Sequence, residues 1–304
     1  MEAIMYVITG ATGNTGNFVA RKLLAQGQKV RAIGRSADRL RPLAAEGAEP
    51  FVCDLTDAAA LVTAFSGAQA VYAMIPPSMT SPDYRADQAK VTDAIAHAIE
   101  QAQVKYAVSL SSIGADKADG TGPVAGLHYL EQTLNRIPEL NVLHLRAAYF
   151  MENTLAQIPI IQTMGITAGP LRADLMLPMI AARDIGAAAA EALLALAFNG
   201  QQTRELLGQR DISMAEVATI IGKAIGKPDL NYLQLPDEQV RAALTQLGMS
   251  LNVANLILEM AGALNSGHMR ALEQRSAQNT TPTSFESFVT EEFVPRYLGK
   301  STAA

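Results

Sequence analysis

Cys53 is the only cysteine in this 304-residue chain, so no internal disulfide braces it. Tryptophan is missing and aromatic residues make up only 5% of the chain, so aliphatic side chains must supply most of the core. No block of lysine and arginine occurs. The 24 basic and 29 acidic residues leave a net charge of −5, and direct binding to nucleic acid is not expected. No apolar run approaches the length of a membrane span; "GAAAAEALLALAF" is too short and too rich in alanine. The opening "MEAIMYVITG" has no basic n-region and reads as a first strand rather than a leader. His, Cys and carboxylate residues do not fall at metal-ligand spacing, so no metal is expected. These absences point to a cytoplasmic globular protein.

What is present is a regular alternation. "MYVITG", "KVRAIG", "EPFVC", "AVYAMI", "KYAVSLSS" and "NVLHLRAAYF" read as six strands, with helical patterns between them. Val91, Ile95, Ala98, Ile99 and Ala102 form one apolar stripe of the clearest helix, and Ser36 is a plausible N-cap of another. Alternation of this length implies parallel strands joined by right-handed crossovers, hence an α/β doubly wound sheet over residues 1–150. The strands read apolar throughout because both faces are covered. Residues 151–304 read as a smaller, mostly helical region forming a substrate cleft over the carboxyl edge of the sheet. A segment at about 183–208 returns to the first domain. In this second region "SMAEVATIIGKAIG", "DEQVRAALTQLG" and "NVANLILEMAGAL" read as helices around a short strand, "NYLQL". The tail "LGKSTAA" reads as frayed.

Between the first strand and the first helix lies "GATGNTG", with Gly10, Gly13 and Gly16 three residues apart. A helix N-terminus presents unpaired N–H groups and partial positive charge, and glycines let a phosphate approach them. The position between strand and helix makes this a dinucleotide site, with Thr12, Asn14 and Thr15 adding polar groups. An acidic residue about 20 positions on would favour NAD(H). Here the second strand runs instead into Arg35 and Ser36, with Arg39 one turn later. Arg35 is either a fork for the 2′-phosphate, which makes NADP(H) preferred over NAD(H), or a solvated surface arginine. Asp54, in "CDLTD", is either a partner of the adenine amino group or a turn carboxylate.

As a set, "VITGATGNTG", "VRAIGRS", "CDLTD", "SLSSIGAD", "HYLEQTL", "LRAAYFMEN" and "RDIGAAAAEALL" resemble the NmrA-like family of atypical short-chain dehydrogenases. The resemblance spans roughly residues 3–235. It implies a Rossmann domain binding NADP(H) and a small C-terminal substrate domain. The family holds quinone and triphenylmethane-dye reductases as well as redox-sensing regulators. The resemblance also implies that Leu55, Met74, Ile75 and Pro76 line the cofactor, with Ser111 and Phe150. Pro77, Ser112, Tyr149 and Asn153 are then expected on the substrate side; the alternatives are hydroxyls that satisfy the strand end for Ser111 and Ser112, and core packing for Tyr149 and Phe150.

Ordinary short-chain dehydrogenases place Tyr-x-x-x-Lys on one helix face, where lysine lowers the tyrosine pKa for proton exchange. None of the eight tyrosines here has lysine four residues later, and no lysine occurs between Lys117 and Lys223. That argues against alcohol dehydrogenation, sugar epimerisation and lysine-assisted reduction. His128 either donates a proton or hydrogen bond to a quinone or carbonyl oxygen, or packs against the cofactor or caps a neighbouring loop. Tyr149 is the second candidate catalytic residue. Glu131 is expected to be structural, holding a backbone group or Arg146, and His144 to pack within its strand. The leading expectation is an NADPH-dependent reductase of a small apolar acceptor, with a homodimer as one option for its assembly. The alternative is a non-catalytic redox sensor acting through a regulatory protein partner.

Overall fold

The computed structural model describes residues 4–300. Met1–Ala3 and Ser301–Ala304, the latter part of the tail read as frayed, lie outside the described residues.

In chain order come β1 (Met5–Ile8), α1 (Asn14–Ala25), β2 (Lys29–Gly34), α2 (Ala37–Ala45), β3 (Glu49–Val52), α3 (Ala58–Phe65) and β4 (Ala70–Ala73). Next are α4 (Tyr84–Gln101), β5 (Tyr106–Ser112), α5 (Ala125–Leu134) and β6 (Asn141–Ala147). Short polar side chains start several of these helices. Ser36, Asp57 and Asp83 accept the backbone N–H of Arg39, Ala60 and Ala86, capping α2, α3 and α4.

The chain then leaves the large sheet for β7 (Tyr149–Phe150), α6 (Ile158–Met164), β8 (Thr167–Gly169) and β9 (Leu177–Ile180). It returns through α7 (Ala182–Ala195) and β10 (Gln201–Leu206). β11 (Asp211–Ile212), α8 (Met214–Ala224), β12 (Tyr232–Gln234), α9 (Asp237–Gln246), α10 (Leu251–Ser266) and a helical run over 285–297 complete it.

Seven strands form one parallel sheet in the order β3-β2-β1-β4-β5-β6-β10. The order reverses between β1 and β4, and such a switch point opens a crevice at the carboxyl ends of the strands. Alternate residues of each strand serve opposite faces. Tyr6, Ile8 and Tyr72 join Val19, Leu23, Leu40 and Ile185, from α1, α2 and α7, in one core. Val7, Val71 and Ala107 join Leu61, Ile95 and Leu130, from α3, α4 and α5, in the other. Burial on both sides is why these strands read as unbroken apolar runs.

The expected sixth strand "NVLHLRAAYF" is two strands. Ala148 donates its N–H to Leu206 at 2.9 Å, the last bond to β10, and the chain then turns onto β9. Tyr149 pairs with Met179 and Phe150 with Ile180. Two small sheets, β11-β9-β7 and β12-β8, thus stand in a region read from sequence as mostly helical. A third apolar cluster, with Met151, Ile161, Met179, Val217 and Phe288, holds this region together. Besides apolar contacts such as Phe150 and Ile180 against the large-sheet core, buried polar bonds tie it to the large sheet. Glu205 at the end of β10 is 2% exposed and accepts the N–H groups of Leu272 and Glu273. Asp184 on α7 accepts from the N–H and hydroxyl of Thr283.

Candidate cofactor and substrate site

At the switch point the chain passes from β1 into α1 through Gly10–Gly13. Gly10 has φ +60°, a conformation that side chains disfavour, and a Cβ there would run into the Met74 sulfur. A Cβ on Gly16 would overlap the Gly10 carbonyl oxygen, so the helix can sit this close to the loop only with glycine at that position. Gly13 is the N-cap of α1 and offers no side chain to close it, and the first turn contains no acidic residue. The amides of that turn, which have no intrahelical partner, stay open to an anion. An extended diphosphate therefore fits the residues present.

The polar residues of the loop divide. Asn14 is exposed and Thr12 half-buried, whereas Thr15 is 3% exposed and receives the hydroxyl of Tyr72 at 2.9 Å. Arg35 is exposed at the end of β2. Arg39 donates from Nη2 to the carbonyl of Thr12 at 2.9 Å, tying α2 to the glycine loop. Asp54 accepts the N–H and hydroxyl of Thr56 at 2.9 and 2.7 Å, so its Oδ1 forms a turn. Those two bonds hold its carboxyl below the usual range, with the Arg35 charge adding to the effect. Leu55 is buried in the core beside α3, and Met74 and Ile75 are half-buried against the two opposite cores. Cys53, next to this edge, is an inert thiol, pushed up to about 11 by burial, then by Asp57 and Asp54.

Around the β5–α5 corner the structure brings Ser112, His128 and Ala115 together. Ser112 donates its hydroxyl to the Ile113 carbonyl at 3.0 Å. His128 Nδ1 lies 2.9 Å from the Ala115 carbonyl. A carbonyl can only accept, so Nδ1 carries the hydrogen and Nε2 is where a proton can be gained or lost. Ser111 lies beneath α5, 2% exposed, and donates its hydroxyl to Glu131 Oε1 at 2.6 Å. Glu131 also accepts the Nε and Nη2 hydrogens along one edge of the Arg146 guanidinium, a pairing that sequence reasoning anticipated as one of two options.

Pro76 is half-buried and Pro77 exposed in the loop after β4. On β7, Phe150 packs against the core of the large sheet and Tyr149 against that of the smaller region, as alternation along a strand requires. Asn153 is exposed nearby. Burial pushes the Tyr149 phenol up, with a hydrogen bond from Asn153 working the other way. This is the reverse of what a neighbouring lysine does to a catalytic tyrosine, so Tyr149 can donate a hydrogen bond but is no base. Sequence reasoning missed Tyr72, because a tyrosine inside an apolar run looks like core alone. Among the described residues no three His, Cys, Asp or Glu side chains come together as a metal site requires, and no helix is long and apolar enough to cross a membrane.

Known proteins share this fold over most of the chain. The NAD(P)H azoreductase of Xenophilus azovorans is 28% identical over 258 residues, 84% of this chain and 86% of that one. Quinone oxidoreductase 2 of Escherichia coli (strain K12) is 26% identical over 268 residues, 86% of this chain and 89% of that one. The crystal structure of the E. coli NADPH-dependent quinone oxidoreductase QOR2 complexed with NADPH superposes with a TM-score of 0.79 at 25% identity, covering 95% of this chain and 100% of that chain. The pattern of the NmrA-like family matches residues 5–293, from the first strand through the glycine loop and α5 to the last helical run. The chain belongs to the NmrA-like family.

Proposed function

We propose that this protein is an NADPH-dependent reductase that passes hydride to a small apolar acceptor such as a quinone. The observation that carries the reading is the open N-terminus of α1, with Gly13 as an uncapped N-cap and no acidic residue in its first turn. The end of β2 adds a guanidinium, Arg35, where NAD-binding chains place a carboxylate. The azo and quinone reductases to which the chain is similar over most of its length support the same reaction class.

The first-turn amides of α1 hold the pyrophosphate, and Arg35 recognises the 2′-phosphate. When bound, the reduced nicotinamide supplies the hydride. Pro77, Tyr149 and Asn153 line the acceptor's side of the cleft, with Phe150 and Pro76 toward the cofactor. Quinone reduction needs little acid catalysis, because the product anion is resonance-stabilised, and positioning supplies most of the rate. His128, fixed through Nδ1 by the Ala115 carbonyl, can hold a proton at Nε2 for the acceptor oxygen.

Mixing the protein with NADPH and a panel of quinones and azo dyes, and following loss of the NADPH absorbance, tests this. Turnover with at least one quinone is expected, and His128→Ala should lower kcat by about tenfold without changing NADPH affinity. Tight NADPH binding with no oxidation above background across the panel would overturn the reductase reading and leave a binding protein.

A further inference from the structure

Tyr72 on β4 is fully buried, and its hydroxyl has one hydrogen-bond partner among the described residues, Thr15 Oγ1 at 2.9 Å. Burial pushes the phenol far above its ordinary pKa, so it keeps its hydrogen. A buried O–H left without an acceptor is costly, so Tyr72 donates and Thr15 accepts. Thr15's own hydrogen is then left for another acceptor. Thr15 is in the first turn of α1, among the open amides, and is itself 3% exposed.

The rest of β4 is pinned to the same loop. The Thr9 hydroxyl accepts the Met74 N–H at 2.8 Å and lies 3.0 Å from the Tyr72 carbonyl, to which it donates. The Met74 side chain fills the space beside Gly10 that a Cβ would need. Thr9, Tyr72 and Met74 therefore fix the height of the glycine loop and the first turn of α1 from below.

We infer that Tyr72 is a positioning residue for the dinucleotide's pyrophosphate, holding Thr15 so that its hydroxyl donates to a phosphate oxygen. This rests on reading the α1 N-terminus as the cofactor site. Tyr72 itself touches no ligand and acts through Thr15.

The test measures the dissociation constant of NADPH for wild type, Tyr72→Phe, Thr15→Val and the double variant. Competition by adenosine 2′-monophosphate, which lacks the pyrophosphate, is measured alongside. Phenylalanine keeps the ring packing, and Thr15→Val probes the same bond from the other end if Tyr72→Phe folds poorly. Each single variant is expected to weaken NADPH by about fivefold. The double variant should be no worse than the weaker single, because both break one chain of bonds. The 2′-monophosphate should bind all four proteins alike. Unchanged NADPH affinity in Tyr72→Phe would overturn the assignment. So would equal losses for NADPH and the 2′-monophosphate, or effects of the two substitutions that add. Wild-type protein that binds no NADPH would instead overturn the reading of the site, and the Tyr72 assignment with it.

Discussion

Glu131 on α5 and Arg146 on β6 form a two-pronged ion pair, Nε to Oε1 at 2.9 Å and Nη2 to Oε2 at 2.6 Å. Glu131 is 1% exposed and Ser111 adds a third bond. The pair clamps the helix carrying His128 to the carboxyl ends of β5 and β6. Glu131→Ala strands a mostly buried guanidinium, and a loss of about 3 to 5 kcal/mol is expected in urea denaturation. Glu131→Leu combined with Arg146→Met should recover most of it, since removing both charges leaves no charge unpaired and only the Ser111 hydroxyl without its acceptor. A double variant as unstable as Glu131→Ala would show that the charges themselves are needed.

His144 lies between Ser109, at 2.7 Å from Nδ1, and Asn135, at 2.9 Å from Nε2, and is 1% exposed. Burial lowers its pKa from the ordinary 6.5 to about 4. Because the folded value lies below the unfolded one, the unfolded chain takes up the proton first on acidification. Stability from this group is present above about pH 6.5 and declines as pH falls toward 4. The loss approaches about 3 kcal/mol at the lower limit. Unfolding free energies measured across this range should fall less steeply in His144→Gln than in the wild type.

Gly16→Ala puts a methyl group onto the Gly10 carbonyl, a backbone neighbour that no rotamer change can remove. Overpacking of this kind costs about 1 to 3 kcal/mol. The strain lies in the phosphate loop, so NADPH binding is expected to weaken by about tenfold or more. Calorimetric titration and a melting curve on the same sample check whether binding suffers beyond the loss of stability.

Arg35 and Arg39 should separate by cofactor. Arg35 is exposed and its charge reaches Asp54, whereas Arg39 holds the Thr12 carbonyl. Arg35→Ala should weaken NADPH by about tenfold and leave NADH unchanged, since only the 2′-phosphate is lost as a partner. Arg39→Ala loosens the loop that both cofactors use, so NADPH and NADH should weaken together. Titrating both variants with both cofactors decides; equal losses in Arg35→Ala would remove its assigned role.

The α/β class was legible because strands covered on two faces must read apolar, and glycines at three-residue spacing mark a close approach. The cap at Ser36 followed from the same local rules, whereas Arg146 was only one of two partners expected for Glu131. β12 was read from "NYLQL" and β7 as the end of the sixth strand, but β8, β9 and β11 were not legible. With two to four residues each, they are too short to display a period, and their partners lie far along the chain.

The sequence by itself determined the alternation, the open helix N-terminus and the absence of a tyrosine–lysine pair, because each depends on residue type at fixed spacing. Only the tertiary structure decided that Tyr72 reaches Thr15, 57 residues away in the chain, and that Ser111 turns to Glu131. The return of the 183–208 segment was expected, but only the structure decided that β10 pairs with β6 at the edge of the sheet. The physical reason is shared: a hydroxyl or a strand edge has many possible partners in sequence, and packing of the two cores leaves it one.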